Sequence, residues 1–400
     1  MRGIYTFSIR IYYVIICLAQ YFNPKAKKWI VGRKASNQNY PKIPASKKVM
    51  WFHCASLGEF DQALPLMNLL KEKNSDIFIL VTFFSPSGFE HYHKRKHQVD
   101  FACYLPIDIP SKARNFLKHF SPSQAFFVKY EFWSNFIFEA KKQDVKVYSV
   151  CTIFRENHRF FKWYGSFFRK TLRQLDYFFV QNQQSIDLLK SIGLSNASLV
   201  GDLRFDRVIE NKKLLEKDSI LEQFIYSKEV WVLGSSWSID ESFLAQAVLN
   251  FDGQIILAPH DISEKHLLEI EQRFSGETIR YTHFSAEKNK KIIILDCIGK
   301  LANAYSYGTF AYVGGGFTGS LHNILEPAVF GLPVLFGPKH KRFPEAQLFL
   351  DQQVGFSVSS EEELNDALKN IKENLESLQL KITDLVQANT GASEKIYALL

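Results

Sequence analysis

Two acidic residues stand where a parallel α/β protein does its chemistry. In His53-Cys54-Ala55-Ser56-Leu57-Gly58-Glu59-Phe60, a turn of small residues leaves an apolar run and enters an amphipathic one, which puts Glu59 at a helix N-terminus beside unpaired backbone N–H groups. As a first-turn acid Glu59 would complement the helix dipole; as a carboxylate at a strand end it could take a proton from a substrate hydroxyl. In Lys129-Tyr130-Glu131-Phe132-Trp133-Ser134-Asn135 the acid Glu131 follows another apolar run, among aromatic neighbours that would partly desolvate it. Two carboxylates at the strand ends of one domain can serve as base and orienting partner.

A third segment, from Val313 through Gly314, Gly315, Gly316 and Gly319 to His322, Asn323, Glu326 and Pro327, runs from a strand into glycines and on to a helix. Such a turn lets backbone N–H groups approach a phosphate at the helix N-terminus. His322, Asn323 and Glu326 add polar groups suited to ribose hydroxyls. Gly314, Gly316 and Gly319 also satisfy G-x-G-x-x-G, but no acid follows about 20 residues on to hold a dinucleotide's ribose. The glycine turn is equally compatible with a purely structural role.

Positioning these residues requires strands that end just before them. Short apolar runs predict strands at 49–53, 77–82, 124–128, 145–150 and 177–181, with helical patterns between them, as at 60–73 and 132–142. The pattern restarts at 230–234, 254–258, 291–295, 310–313 and 333–336. Alternation of strand and helix implies α/β domains with doubly wound parallel sheets, and ligands then bind beyond the carboxyl ends of strands. The expected boundaries are an N-terminal anchor over 1–30, a first domain over 31–206, a connection over 207–228, a second domain over 229–375 and a C-terminal helix over 376–400.

The 400 residues carry a formal charge of +8, and its location is informative. Ten Lys or Arg and no acid fall within residues 1–50, leaving 39 basic against 41 acidic residues beyond. A nucleic-acid groove would spread the excess over the folded domains, so nucleic acid is excluded as the expected partner. The apolar segment from Ile4 to Phe22, followed by Lys25, Lys27 and Lys28, is expected instead to anchor the chain at an anionic leaflet, either spanning it or lying in it. Five well-separated cysteines with no C-x-x-C or Cys/His zinc spacing fit a reducing compartment and no metal site. Arg155, Arg159 and Lys162, interleaved with Phe160, Phe161, Trp163, Tyr164, Phe167 and Phe168, would form a basic and aromatic surface at headgroup depth, where the family resemblance given below places the acceptor lipid's phosphates.

The motifs HCASLGE (53–59), TFFSPSG (82–88), YLPID (104–108), YEFWSN (130–135), QNQQS (181–185), GDLRFD (201–206), VGGGFTGSLHNILEP (313–327) and GLPVLFGP (331–338) occur in an order and at spacings that resemble the Kdo (3-deoxy-D-manno-octulosonic acid) transferases of lipopolysaccharide assembly. The resemblance implies a GT-B glycosyltransferase: two Rossmann-like domains facing a central cleft, with an N-terminal membrane-anchor helix. It implies inverting transfer of Kdo from CMP-Kdo to the lipid A precursor, lipid IVA, at the cytoplasmic face of the inner membrane, without a metal, another cofactor or an obligate protein partner. By motif position the catalytic base falls on Glu59, a supporting acid on Glu131, and acceptor contacts on Ser56 and Gly58. The donor site falls on Gly234, Ser235, Ser236, Pro259, His260, Gly299, Lys300, Gly315, Gly316, His322, Asn323 and Glu326. Two departures stand out: Pro259-His260-Asp261 replaces the family's P-R-H, and Lys300 replaces an acid. Phosphate neutralisation is then expected from Lys339, His340, Lys341 or Lys300 itself. A GT-B transferase using a different sugar nucleotide, and an inactive membrane-tethered binding protein, are the alternatives.

Overall fold

The computed structural model describes residues 1–36, 39–285 and 290–400, which divide into two compact units. One comprises residues 1–207 and 389–400, the other 208–388. The first holds a parallel sheet of β1 (Lys48–Cys54), β2 (Ile77–Phe83), β3 (Phe101–Tyr104), β4 (Gln124–Val128), β5 (Lys146–Thr152), β6 (Tyr177–Val180) and β7 (Ala197–Leu199), in the order β3-β2-β1-β4-β5-β6-β7. The central strands are continuous apolar runs because helices cover both faces. Trp51 and Phe127 pack on one face; Phe52 and its register partner Phe126 stack on the other, 4.5 Å apart.

The second unit repeats the plan with β8 (Val230–Ser236), β9 (Gln254–Pro259), β10 (Thr278–Arg280), β11 (Ile292–Ile294), β12 (Phe310–Val313), β13 (Val334–Phe336) and β14 (Gly355–Ser357), ordered β10-β11-β9-β8-β12-β13-β14 and all parallel. Each order reverses direction once, between β1 and β4 in the first sheet and between β8 and β12 in the second. A crevice opens at such a reversal beyond the strand ends, because the connecting helices leave to opposite faces there.

Several expected boundaries move. The helix expected to start at Phe60 begins at Leu57, and the one expected at Phe132 begins at Ser134, leaving Glu131 in a turn. That later start follows from Asp108, whose buried carboxylate accepts from the N–H groups of Asn135 (3.2 Å) and Phe136 (2.9 Å) and so fixes the first turn. The stretch 207–228 is not a separate connection. The helix Leu203–Lys213 crosses from one unit into the next, and the helix Ser219–Phe224 puts Leu221 and Phe224 into the second unit's core. The C-terminal helix does not begin at 376. One long helix, Glu361–Asn389, is interrupted only at Asn374, and its Leu378, Ile382 and Val386 stay buried in the second unit. The chain rejoins the first unit from Asn389.

Two N-terminal helices, Arg2–Ala19 and Pro24–Ser36, belong to the first unit. On one face of the first, Arg2 bonds Asn135 and Glu139, Tyr5 donates to Asp108, and Tyr12 and Tyr13 pack on Trp29. The opposite stripe of Ile4, Phe7, Ile11, Ile15 and Leu18 is exposed. The helix is long and apolar enough to cross a membrane by length and composition.

The last helix, Ala392–Tyr397, is tied down by Asp206, whose carboxylate accepts from Gly391 N–H (2.6 Å), from Ser393 N–H (2.7 Å) and from the Ser393 hydroxyl. Asp206→Ala strips these bonds at a buried site and should cost about 1–3 kcal/mol of stability. Amide exchange over residues 391–397 should speed up before that of β1; protection unchanged there would show that Asp206 does not hold the helix.

Candidate active site

Glu59 and Glu131 both lie at the reversal point of the first sheet, just past β1 and β4. Glu59 is in the first helical turn, almost fully buried, and accepts a 2.5 Å hydrogen bond from Ala55 N–H. Burial raises its pKa, against the opposing pull of the Lys129 charge and the N–H groups of Ala55 and Ser56. Glu131 is pushed up to about 7, first by burial and next by the negative charge of Glu59, with Arg159 opposing. The two carboxylates are therefore near enough to share one electrostatic environment. Ser56 precedes Glu59's helix without capping it by its side chain, and Gly58 is exposed, with open space where a Cβ would point.

The turn carrying Glu131 is fixed by a buried chain of bonds. Trp133 Nε1–H donates to His53 Nε2 at 2.9 Å, which leaves the proton on Nδ1 to donate to Thr82 Oγ1 at 2.9 Å. Thr82 Oγ1 also accepts from Trp51 Nε1–H at 2.8 Å. Complete burial lowers the His53 pKa to about 3, so the ring is a neutral spacer. Lys129 (φ 60°) and Cys151 (φ 56°) take left-handed conformations at the ends of β4 and β5, a strain of roughly 1–3 kcal/mol per residue of the kind that collects at functional sites. The motif around 82–88 meets the one around 53–59 directly: Ser85 N–H donates to Ala55 O, and a Cβ on Gly88 would strike the backbone of Ser56 and Leu57.

In the second unit the reversal point gathers Gly234, Ser235 and the glycine turn. Ser235 is left-handed (φ 53°), as is Gly315 (φ 88°), where a side chain would also strike the Ser320 carbonyl. Gly316 lies flat against Gly337, which explains why 313–327 and 331–338 occur together. Asp240 organises this turn. Fully buried, it accepts from Gly315 N–H (3.1 Å), Tyr312 OH (2.7 Å) and Trp237 N–H (2.9 Å). From the sequence Asp240 reads as one more first-turn helix acid, so its role stays hidden until β8 and β12 are side by side.

His322 follows the turn with its Nε2 buried and unpartnered, and its pKa is lowered by burial and then by His260. The exposed His260 stacks on Trp237 at 4.2 Å and lies 4.7 Å from the His322 ring. Asn323 Nδ2–H donates to Glu326 Oε1 at 3.2 Å. Pro259 ends β9 and is buried. Lys339 is exposed beside the turn, its N–H bonded to Gly316 O at 2.7 Å.

Two expected site residues have other commitments. Ser236 is wholly buried and donates to Glu241, which also receives His266 and Arg273, so its hydroxyl serves that cluster. Lys300 Nζ lies 2.9 Å from Asp218 and over the Tyr281 ring; the bonds to Tyr281 and Asp218 raise its pKa. Its charge is neutralised where it stands, while the neighbouring Gly299 is exposed. The aromatic run is mixed: Phe154, Phe160 and Phe167 belong to the core, whereas Trp163 and Tyr164 are exposed together with Arg155 and Arg159. Arg159 lies over Phe168 at 4.4 Å, and Lys162 is half-buried.

Comparison with known proteins matches residues 31–207 to the family model of 3-deoxy-D-manno-octulosonic-acid transferase (kdotransferase). The chain is 27% identical over 321 residues to the 3-deoxy-D-manno-octulosonic acid transferase of Aquifex aeolicus, covering 80% of this chain and 84% of that one. It is 26% identical over 380 residues to the enzyme of the same name from Rickettsia felis, covering 92% and 78%. Among solved structures, the UDP-GlcNAc 2-epimerase of Neisseria meningitidis superposes with a TM-score of 0.64 at 14% identity, covering 88% of this chain and 98% of that one. Two doubly wound units in one chain constitute the GT-B fold.

Two outcomes follow from the buried charges. A carboxyl whose folded pKa is raised binds protons more tightly folded than unfolded, so wild type loses stability as pH rises from the ordinary carboxyl range through about 7. Glu131→Gln should therefore become more stable than wild type by about 2–3 kcal/mol at pH 8 but not at pH 4, in denaturant titrations. Lys300→Glu would place a carboxylate against Asp218 and should lower the thermal midpoint at neutral pH; an unchanged midpoint would mean the pair holds nothing.

Proposed function

We propose that this chain, whose residues 31–207 match the Kdo transferase family model, is an inverting glycosyltransferase that moves Kdo from CMP-Kdo to a hydroxyl of the lipid A precursor, lipid IVA. The observation that carries this reading is the pairing of Glu59 and Glu131 at the reversal point of the first sheet, both desolvated and electrostatically coupled. The acceptor hydroxyl attacks the anomeric carbon of Kdo, its proton passes to Glu59, and the bond to CMP breaks with the electron pair leaving on the phosphate. A raised pKa makes Glu59 a stronger base while a carboxylate population persists at neutral pH. Phosphate is a stable leaving anion, so no general acid is assigned to it, and the reading is metal-independent.

The donor falls to the second unit, where Gly315 and Gly316 present backbone, His322 offers its unpartnered nitrogen, and Asn323 and Glu326 are available to the ribose. Lys339 is the cation beside the glycine turn and takes the neutralising part once considered for Lys300. Gly58 leaves space for the acceptor sugar above Glu59, and Arg155, Arg159 and the exposed Trp163 and Tyr164 form a surface for its phosphates and headgroup region. The N-terminal helix is assigned to the plane of the inner membrane's cytoplasmic leaflet, because Arg2 and Tyr5 bind one face to the protein and leave the apolar stripe outward.

The test is transfer of labelled Kdo, from CMP-Kdo generated in place, onto detergent-dispersed lipid A precursor. Glu59→Ala should lose roughly 10²–10⁴-fold in rate while CMP binding persists. Transfer surviving that change would remove Glu59 as base, and folded wild type that binds CMP without transfer would remove this acceptor. The charge of Glu59 helps raise the Glu131 pKa, so Glu59→Gln should shift the titration of the Glu131 carboxyl to lower pH in an NMR pH titration. A Glu131 titration left in place by that change would uncouple the two carboxylates.

A further inference from the structure

Arg33, on the helix Pro24–Ser36, is a buried cation to which no described carboxylate is paired. Its Nε and Nη2 donate to the carbonyls of Leu105 (3.2 Å) and Phe84 (2.9 Å), and its guanidinium lies 3.4 Å over the Trp29 ring with Phe84 and Tyr104 alongside. Its Nη1 is buried without a partner among the described residues, and the residue is only 6% exposed. A buried guanidinium with a free donor is costly unless an anion completes it.

Arg33 lines a cavity of about 820 Å³ bounded by the two N-terminal helices and the helix Pro110–Phe120. Arg10, Lys34, Lys112 and His119 add basic groups, and no Asp or Glu lines the cavity among the described residues. The remaining wall is apolar, including Val14, Ile30, Ile107, Ile109 and Phe116. Val14 is also exposed, so it joins the cavity to the outward apolar surface of the first helix. The volume suits a small ligand that is apolar at one end and anionic at the other. Burial holds the Arg33 pKa down to about 9, which still leaves it charged at neutral pH.

We propose that this cavity binds the phosphate monoester of an acidic amphiphile, with the ammonium groups of Lys34 and Lys112 on the phosphate, the positive charge of Arg33 in the wall behind them, and an acyl chain along Val14, Ile107 and Ile109. The site is separate from the Arg155–Lys162 surface: Arg33 bonds the chain just beyond β2 and β3, whereas that surface follows β5, across β1 and β4. It rests on the membrane part of the functional reading and not on the transfer chemistry.

The experiment is titration of the full chain, in uncharged detergent, with dihexanoyl phosphatidic acid, read by calorimetry and by the fluorescence of Trp29 against a Trp29→Phe control. Saturable binding at least tenfold tighter than that of dihexanoyl glycerol or inorganic phosphate is expected. Arg33→Gln should weaken it at least tenfold. Because that variant removes a buried group, the exposed pair Lys34→Glu/Lys112→Glu is the second arm and should weaken binding similarly at an unchanged thermal midpoint. Equal binding of diacylglycerol, equal binding of inorganic phosphate, or an affinity untouched by the double charge reversal would overturn the proposal. Displacement by the bisphosphorylated acyl disaccharide would name the transfer acceptor as the source of the phosphate; binding that survives it would name a bilayer phospholipid. Wild type that binds phosphatidic acid but transfers no Kdo would defeat the functional reading and leave this one standing.

Discussion

The parallel pairing of β1 with β4 is the constraint on which the first unit's chemistry depends. It brings two strands that are distant in sequence into register, Phe52 against Phe126 and His53 against Phe127, and so delivers Glu59 and Glu131 to the same end of the sheet. Once they are there, burial does the chemical tuning. Each carboxylate is desolvated, Glu131 also feels the charge of Glu59, and the cations Lys129 and Arg159 keep ionisation within reach of neutral pH. A neutral, buried His53 transmits the positions of β1 and β2 to Trp133, two residues from Glu131. An ionised imidazole could not serve there, since Nε2 must accept while Nδ1 donates.

The second unit solves a different problem with the same topology. Its turn presents backbone rather than side chains, which requires glycines wherever another strand end crowds in. Gly316 against Gly337 and Gly315 against Ser320 are places where a side chain has no room. Asp240 then fixes the backbone by accepting from Gly315, Tyr312 and Trp237 at once, so a fully buried acid is satisfied by three donors. Satisfied buried networks of this type specify one geometry because any alternative leaves a desolvated group unpaired.

Charge is treated in opposite ways in two parts of the molecule. Lys300 is matched to Asp218, and Glu241 to Arg273, each charge meeting its counterpart. Arg33 is stacked on aromatic rings and bonded to carbonyls, which solvates the guanidinium without cancelling its charge. The first arrangement spends its charges on structure, whereas the second leaves one charge without a counter-ion among the described residues.

Much of this was legible in the residues alone. Continuous apolar runs revealed the central strands of both sheets because those strands are buried on both faces. The strands that escaped notice, β3, β7, β10 and β14, are the four sheet edges, three or four residues long, with one neighbour each and a weaker apolar signal. Glu59, Glu131 and the glycine turn were visible because residue type and position after a strand are local properties. Tertiary structure decided what local patterns do not encode: that Ser236 and Lys300 are consumed by partners, that Asp240 shapes the turn, that half of the aromatic run is core, and that Arg33 has no counter-ion among the described residues. Each of these is a statement about which groups meet across the fold, and burial and electrostatics act through those meetings, not through spacing along the chain.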